Sequence, residues 1–164
     1  MLCSATTREY LINYARTLIY TTALPFPCLA SIKVTYDFLA SDRADALRRH
    51  LRDITSHAHG LLLSICKRTS GASKLLRVDP AVPRAPILPL LTPRARSLAQ
   101  HCQDRGLMVR PIVAPTVPEG KERVRICLHA GNSSTQVEEL AAAVEEWVRL
   151  QIRDEGGSGN MPRL

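Results

Sequence analysis

The sequence predicts an α+β fold in which a three-stranded, mainly antiparallel sheet carries helices on one face. Two observations lead to this prediction. Apolar patterns occur along the 164 residues in the order helix, helix, strand, helix, strand, strand, helix. In addition, about nine residues without a helix join the last two strands, which is too short for a parallel crossover and favours antiparallel pairing.

The first 40 residues are predicted to be helical and interrupted by prolines. Thr6 and Glu9 have the spacing of a capping box at the start of a helix. Pro25 and Pro27 end the apolar segment that follows, and a further helix extends from Pro27 to about Ala40.

A longer helix is predicted from Asp42 to about Lys67. Its apolar residues recur every three or four positions and form one buried stripe: Leu47, Leu51, Ile54, Ala58, Leu61 and Ile65. Arg48, Arg49 and Arg52 lie mostly off this stripe, which favours a solvated basic face over a DNA-reading helix.

The remaining elements lie between residues 69 and 153. After a loop over residues 69–84, residues 87–91 form a short strand, and Pro89 indicates an edge position or a bulge. A helix beginning at Thr92 and Pro93 stops at Gly106. The last helix begins with a capping box of Thr135 and Glu138, and Trp147 packs beside its buried stripe. The stripe consists of five apolar residues: Val137, Leu140, Val144, Val148 and Ile152.

Two strands joined by a proline-rich connection occupy residues 107–128. In the second strand Val124, Ile126 and Leu128 alternate with a set that points the other way: Arg123, Arg125 and Cys127. If the apolar set packs on helices, Arg125 lies on the opposite face, where a guanidinium can bind a carboxylate with two parallel hydrogen bonds. The common alternative is a solvated or aggregation-preventing arginine of an edge strand.

Composition narrows the class of partner. The net charge is +7 with a pI near 9.5, which suits a phosphate cofactor or a coenzyme A thioester. Nucleic-acid binding is the weakest alternative because the arginines are dispersed and aromatic residues make up only 4%. No apolar run approaches the roughly 20 residues of a membrane span.

The cysteines and histidines indicate neither a disulfide framework nor a metal site. The chain has five cysteines, and no two of them form a C-x-x-C pair: Cys3, Cys28, Cys66, Cys102 and Cys127. They are expected to be reduced and buried, as in an intracellular protein. His57 and His59 form an isolated H-x-H, which favours a surface helix over a metal site.

Two stretches carry a family resemblance. INYARTLIYTTALP at residues 12–25 and RPIVAPTVPEGKERVR at residues 110–125 resemble motifs of the pyridoxal-phosphate-dependent α-oxoamine synthases, especially the 8-amino-7-oxononanoate synthase branch. The resemblance extends from Leu2 to about Leu150. It implies a fold-type-I enzyme's small C-terminal domain at residues 41–153, preceded by a helical remnant of the large domain at residues 1–40 and followed by a flexible tail at residues 154–164.

The resemblance also implies site residues and a reaction. Arg125 matches the arginine that binds the amino-acid carboxylate. Thr22, alone or with Thr21, matches the hydroxyl that binds the phosphate of pyridoxal 5'-phosphate in the neighbouring subunit of a homodimer. The family joins an amino acid to an acyl-CoA with loss of carbon dioxide, and L-alanine with pimeloyl-CoA, the biotin-synthesis reaction, is the first choice. Residues 130–132 depart from bacterial members, many of which carry a histidine in this turn.

The family's Schiff-base lysine has no counterpart here. None of the four lysines of the chain lies in the matching context: Lys33, Lys67, Lys74 and Lys121. The chain alone is therefore expected to be inactive, as a truncated gene model, a split enzyme or a degenerate copy, unless a partner supplies the large domain. A catalytically inactive dimerisation or interaction module, able to pair with a full-length relative, is the main alternative.

The termini give one indication of location. The start of the chain lacks the pattern of a signal or transit peptide. The last three residues, Pro162, Arg163 and Leu164, resemble a peroxisomal import tag, except for the proline in the first place. The expected location is the peroxisome or the cytoplasm.

Overall fold

The computed structural model describes residues 3–19, 24–69 and 71–157. It divides into two units, residues 1–45 and 46–164. Across the described ranges no helix combines the length and the apolar character that a bilayer span requires.

The first unit is helical. It contains α1 (Ala5–Tyr14), α2 (Arg16–Ile19) and α3 (Phe26–Leu39). The N-cap of α1 is Ser4, whose Oγ accepts a hydrogen bond from the Thr7 backbone N–H at 3.1 Å. The predicted capping box of Thr6 and Glu9 is therefore wrong, because the extended backbone of Ser4 starts the helix earlier and places both residues inside it.

Helix α3 is unusually apolar for an exposed helix. None of its residues is buried within the described structure, and Phe26, Val34 and Tyr36 are 87%, 67% and 70% exposed. An ion pair between Lys33 and Asp37, with Nζ and Oδ2 2.7 Å apart, links its two charged side chains. Helices with apolar residues on several sides are usually buried in larger proteins.

The second unit contains the predicted sheet. Strands β1 (Ile87–Leu91), β2 (Arg110–Ile112) and β3 (Arg123–Cys127) are arranged in the order β1-β3-β2, and both pairings are antiparallel. This confirms the predicted three-stranded sheet. Pro89 lies in edge strand β1, where the lack of its N–H is tolerated.

Four helices accompany the sheet: α4 (Asp42–Arg68), which begins in the first unit, α5 (Ala72–Leu75), α6 (Ala95–Gln103) and α7 (Ser134–Gly157). Their apolar faces and one face of the sheet form a single core, whose most buried members include Ile65, Leu90, Leu98, Val124, Val144, Trp147 and Val148. The Trp147 Nε1–H donates to Ser97 Oγ at 3.0 Å.

Two details differ from the prediction. Helix α5 falls in the expected loop, and Leu47 of the expected stripe is 37% exposed.

The start of α7 differs from the prediction as well. The Gln136 N–H donates to Ser133 Oγ at 3.2 Å, and the Ser133 N–H donates to Gln136 Oε1 at 3.1 Å. These reciprocal bonds are those of a capping box. The box is therefore formed by Ser133 and Gln136, two residues before the predicted Thr135 and Glu138.

The cysteines and the H-x-H pair require two corrections. All five cysteines are free, but Cys3, Cys28 and Cys127 are exposed, and only Cys102 is fully buried. Burial raises the pKa of Cys102 to about 11, so this thiol stays protonated at neutral pH. His59 does not lie on the surface. It is 8% exposed, and its Nε2 lies 2.7 Å from the Asp79 carbonyl oxygen. The described residues contain no group of three potential metal ligands.

Candidate functional site

Arg125 lies in the middle of the central strand and on the open face of the sheet. Its neighbours Val124 and Ile126 point into the core and are 1% and 2% exposed, whereas Arg125 itself is exposed. Because β3 is paired on both sides, the backbone of Arg125 is held by two ladders. The interpretation as an edge-strand arginine is therefore wrong, and the side chain projects from a rigid platform.

A second arginine lies directly beside it. Arg110 of β2 is the cross-strand partner of Arg125, and Pro89 of β1 is the partner on the other side. Like charges placed opposite each other on a sheet repel. Neither guanidinium forms an ion pair with any described residue. The open face thus presents two adjacent positive charges, which a bound anion would stabilise.

The sequence interpretation did not identify Arg110 as a site residue. The signal that could have found it is the register of the two antiparallel strands. Once β2 and β3 are joined through the proline-rich connection, the arginine of the RP pair falls opposite the second arginine of R-x-R.

A cavity of about 550 Å³ adjoins this pair. Arg110 and Arg125 line it together with residues of the β3–α7 turn and of α7, among them His129, Gln136 and Glu139. Its volume is within the usual range for small-molecule sites. None of the four lysines of the chain lines it.

The turn that follows β3 is fixed by hydrogen bonds. The His129 N–H donates to Asn132 Oδ1 at 2.9 Å, and the Gly131 N–H donates to His129 Nδ1 at 3.0 Å. His50 of α4 reaches the same turn, with its Nε2 2.9 Å from the Asn132 carbonyl oxygen. This chain therefore has a turn that is closed by Asn132 and attached to α4 through His50.

The other predicted site residues are less informative. Thr21 and Thr22 lie outside the described residues. Lys33, Lys67, Lys74 and Lys121 are all exposed, and the ammonium group of Lys33 is paired with Asp37. The described structure thus offers groups for an anionic substrate at Arg125, but no lysine that could hold a cofactor in the adjoining cavity.

Comparison with known sequences finds relatives that match most of the chain. An 8-amino-7-oxononanoate synthase of Emericella nidulans is 42% identical over 149 residues, which are 91% of this chain and 35% of that protein. The enzyme of the same name from Ectopseudomonas mendocina is 37% identical over 147 residues, which are 87% of this chain and 34% of that protein. An aminoacyl transferase sphA of Aspergillus fumigatus is 28% identical. No protein-family model matches the chain.

Solved structures show the same fold. An 8-amino-7-oxononanoate synthase from Francisella tularensis superimposes with a TM-score of 0.65 at 22% identity, covering 91% of this chain and 41% of that one. The serine palmitoyltransferase of Sphingomonas wittichii gives a TM-score of 0.70, also at 22% identity, and covers 91% and 35%. A serine palmitoyltransferase containing pyridoxal phosphate gives 0.72. The chain spans about a third of the length of the curated relatives it matches.

Proposed function

Because the chain belongs to the α-oxoamine synthase family and corresponds to its C-terminal part, we propose that its sheet forms the carboxylate-binding side of an acyltransferase active site. The observation that carries the proposal is the exposed Arg125 at the centre of β3, beside Arg110 and next to a cavity of about 550 Å³. A planar carboxylate accepts two parallel hydrogen bonds from one guanidinium, which fixes both its position and its plane.

Pyridoxal 5'-phosphate would be held by the remainder of the family fold, whether that lies in the same polypeptide or in a partner. This cofactor withdraws electrons from a bound amino acid. The described residues do not fit it by themselves, because no lysine lines the cavity at Arg125. Thr22, alone or with Thr21, is the contribution we propose from this chain, through a hydroxyl that binds the phosphate group across a dimer interface.

The substrates we propose are L-alanine and pimeloyl-CoA, with loss of carbon dioxide, as in biotin synthesis. The support is the difference in identity between relatives. The Emericella nidulans 8-amino-7-oxononanoate synthase is 42% identical, whereas the Aspergillus fumigatus aminoacyl transferase is 28% identical. Arg125 does not distinguish amino acids, because it would contact only the carboxylate that they share.

Reconstitution tests the requirement for the remainder of the fold. The purified chain is mixed with pyridoxal phosphate alone, or co-expressed with the large domain of the Emericella nidulans relative. Cofactor retained after dialysis is measured by absorbance, and any lysine attachment is mapped by borohydride reduction and mass spectrometry. We expect that the chain alone does not hold the cofactor at any single lysine. The reconstituted pair should retain the cofactor and convert alanine and pimeloyl-CoA to product. Specific attachment to one lysine of the chain alone would contradict the proposal.

The same experiment addresses a second candidate function, an inactive dimerisation or interaction module. The exposed apolar side chains of α3 favour it, since Phe26, Val34 and Tyr36 would be covered in a complex. Stable association with the relative, without cofactor retention or turnover, is the outcome that this alternative predicts.

We also propose a peroxisomal location. The tripeptide Pro162-Arg163-Leu164 lies outside the described residues, so the support is its sequence alone. A fluorescent protein fused in front of residues 151–164 should enter peroxisomes, and the variant Leu164→Ala should remain in the cytoplasm. Identical cytoplasmic distributions of the two fusions would contradict the proposal.

A further inference from the structure

A second groove lies between α4 and the segment of residues 82–86. It has a volume of about 620 Å³ and shares no lining residue with the cavity at Arg125. The wall opposite α4 is anchored near both ends. Before it, His59 Nε2 lies 2.7 Å from the Asp79 carbonyl oxygen, and at its end the Leu128 N–H donates to the Pro86 carbonyl at 2.8 Å. Hydrogen bonds therefore hold this wall of the groove in place within the second unit.

Both walls of this groove carry positive charge. Arg48 and Arg52 lie one helical turn apart on α4, and Arg84 lies on the opposite segment. None of the described residues that line the groove is an aspartate or a glutamate. Arg52 and Arg84 form no side-chain hydrogen bond or ion pair with another described residue. The nearby Asp79 carboxylate accepts the Ala81 N–H at 2.9 Å and closes its own turn.

The rest of the lining is mostly apolar. Leu51 of α4 faces Val82, Pro83 and Pro86 of the opposite segment. Val82 is 77% exposed, which is high for a large aliphatic side chain. The hydroxyl of the buried Thr55 donates to the Leu51 carbonyl at 2.6 Å. Guanidinium groups beside proline and valine surfaces suit a ligand with an anionic end and a flat apolar end.

We propose that this groove binds an organic phosphate of the nucleotide class. Arg52 and Arg84 hold the phosphate groups, because guanidinium matches phosphate oxygens with two parallel hydrogen bonds. The base lies against Val82, Pro83 and Pro86. The proposal rests on this groove alone and does not depend on the function of the Arg125 site.

Titration calorimetry on the full chain tests the proposal with three probes: ADP, inorganic phosphate and adenosine. We expect ADP to bind at least about 10-fold more tightly than phosphate, and adenosine to show no measurable binding, because only ADP uses both parts of the groove. Arg52→Ala and Arg84→Ala should each weaken ADP binding about 10-fold or more. Arg49→Ala is the matched control, since Arg49 is exposed on the same helix but does not line the groove.

A second variant guards against loss of folding. Val82→Glu places a carboxylate among the arginines at a position that is 77% exposed, so helicity by circular dichroism should be unchanged while ADP binding is lost. Three outcomes would overturn the proposal: no ADP binding, equal affinity for phosphate and ADP, or an equal loss in Arg49→Ala, which would indicate a diffuse basic surface.

Discussion

Replacing Arg125 by glutamine lowers kcat/KM for the amino acid about 10²–10³-fold in an enzyme that contains this domain. Glutamine keeps the length and one donor group, but it removes the positive charge and the forked pair of N–H groups that a carboxylate requires. We expect kcat/KM for the amino acid to fall more than kcat/KM for the thioester, because the proposed contact of Arg125 is with the amino-acid carboxylate alone. Folding is expected to be unaffected, since the side chain is exposed and forms no ion pair with a described residue.

The measurement uses a chimaera in which residues 2–150 replace the matching part of the Emericella nidulans relative. Arg123→Gln is the matched control, because Arg123 lies on the same strand but does not line the cavity, and its Nε–H donates to the Lys121 carbonyl at 3.1 Å. Arg110→Gln should produce an intermediate loss, since Arg110 is the cross-strand neighbour. If Arg123→Gln and Arg125→Gln reduce kcat/KM equally, the carboxylate site is not at Arg125.

The substitution Trp147→Ala lowers the free energy of unfolding by about 3–5 kcal/mol. Trp147 of α7 is 1% exposed, and its Nε1–H donates to Ser97 of α6. Removing the indole leaves a cavity that the surrounding helices and strands only partly fill. This loss is comparable with the whole stability of many small domains, so the variant should be partly unfolded at 37 °C.

Chemical denaturation followed by circular dichroism measures this effect. Trp147 is the single tryptophan of the chain, so the variant has no tryptophan fluorescence to follow. Trp147→Phe is the control. It retains most of the apolar volume and loses the bond to Ser97, so a smaller loss of about 1–2 kcal/mol is expected. An equal loss in both variants would show that the hydrogen bond, rather than the packing of the ring, determines stability at this position.

The parts of the fold that could be predicted depend on regular spacing. Alternation in β3 assigned Val124 and Ile126 to the core and Arg125 to the open face, and the spacing in α7 identified Val137 and Val144 as buried. Each pattern lies within one strand or helix, so it can be identified from one sequence without knowing how the elements pack together. The pairing of β2 and β3 was predictable for the same kind of reason, since their short connection permits only one direction.

The features that were missed depend on contacts between elements or on competition between neighbouring caps. His59 is buried because α4 meets the Asp79 carbonyl, and no spacing within α4 indicates this. The pairing of Arg110 with Arg125 requires the strand register. Ser4 and Ser133 displaced the predicted caps because several hydroxyl residues precede each helix, and only the backbone conformation selects one of them.

The position of Arg125 in the middle strand has a consequence for how substrate choice can diverge among relatives. A strand that is hydrogen-bonded along both edges cannot shift without breaking two sets of main-chain bonds, so the carboxylate site that we propose at Arg125 would keep its position. Discrimination among the proposed amino-acid and acyl substrates would then arise in segments that surround Arg125. Under this proposal, enzymes that share the sheet would differ in substrate through changes elsewhere, with the guanidinium of Arg125 in an unchanged position.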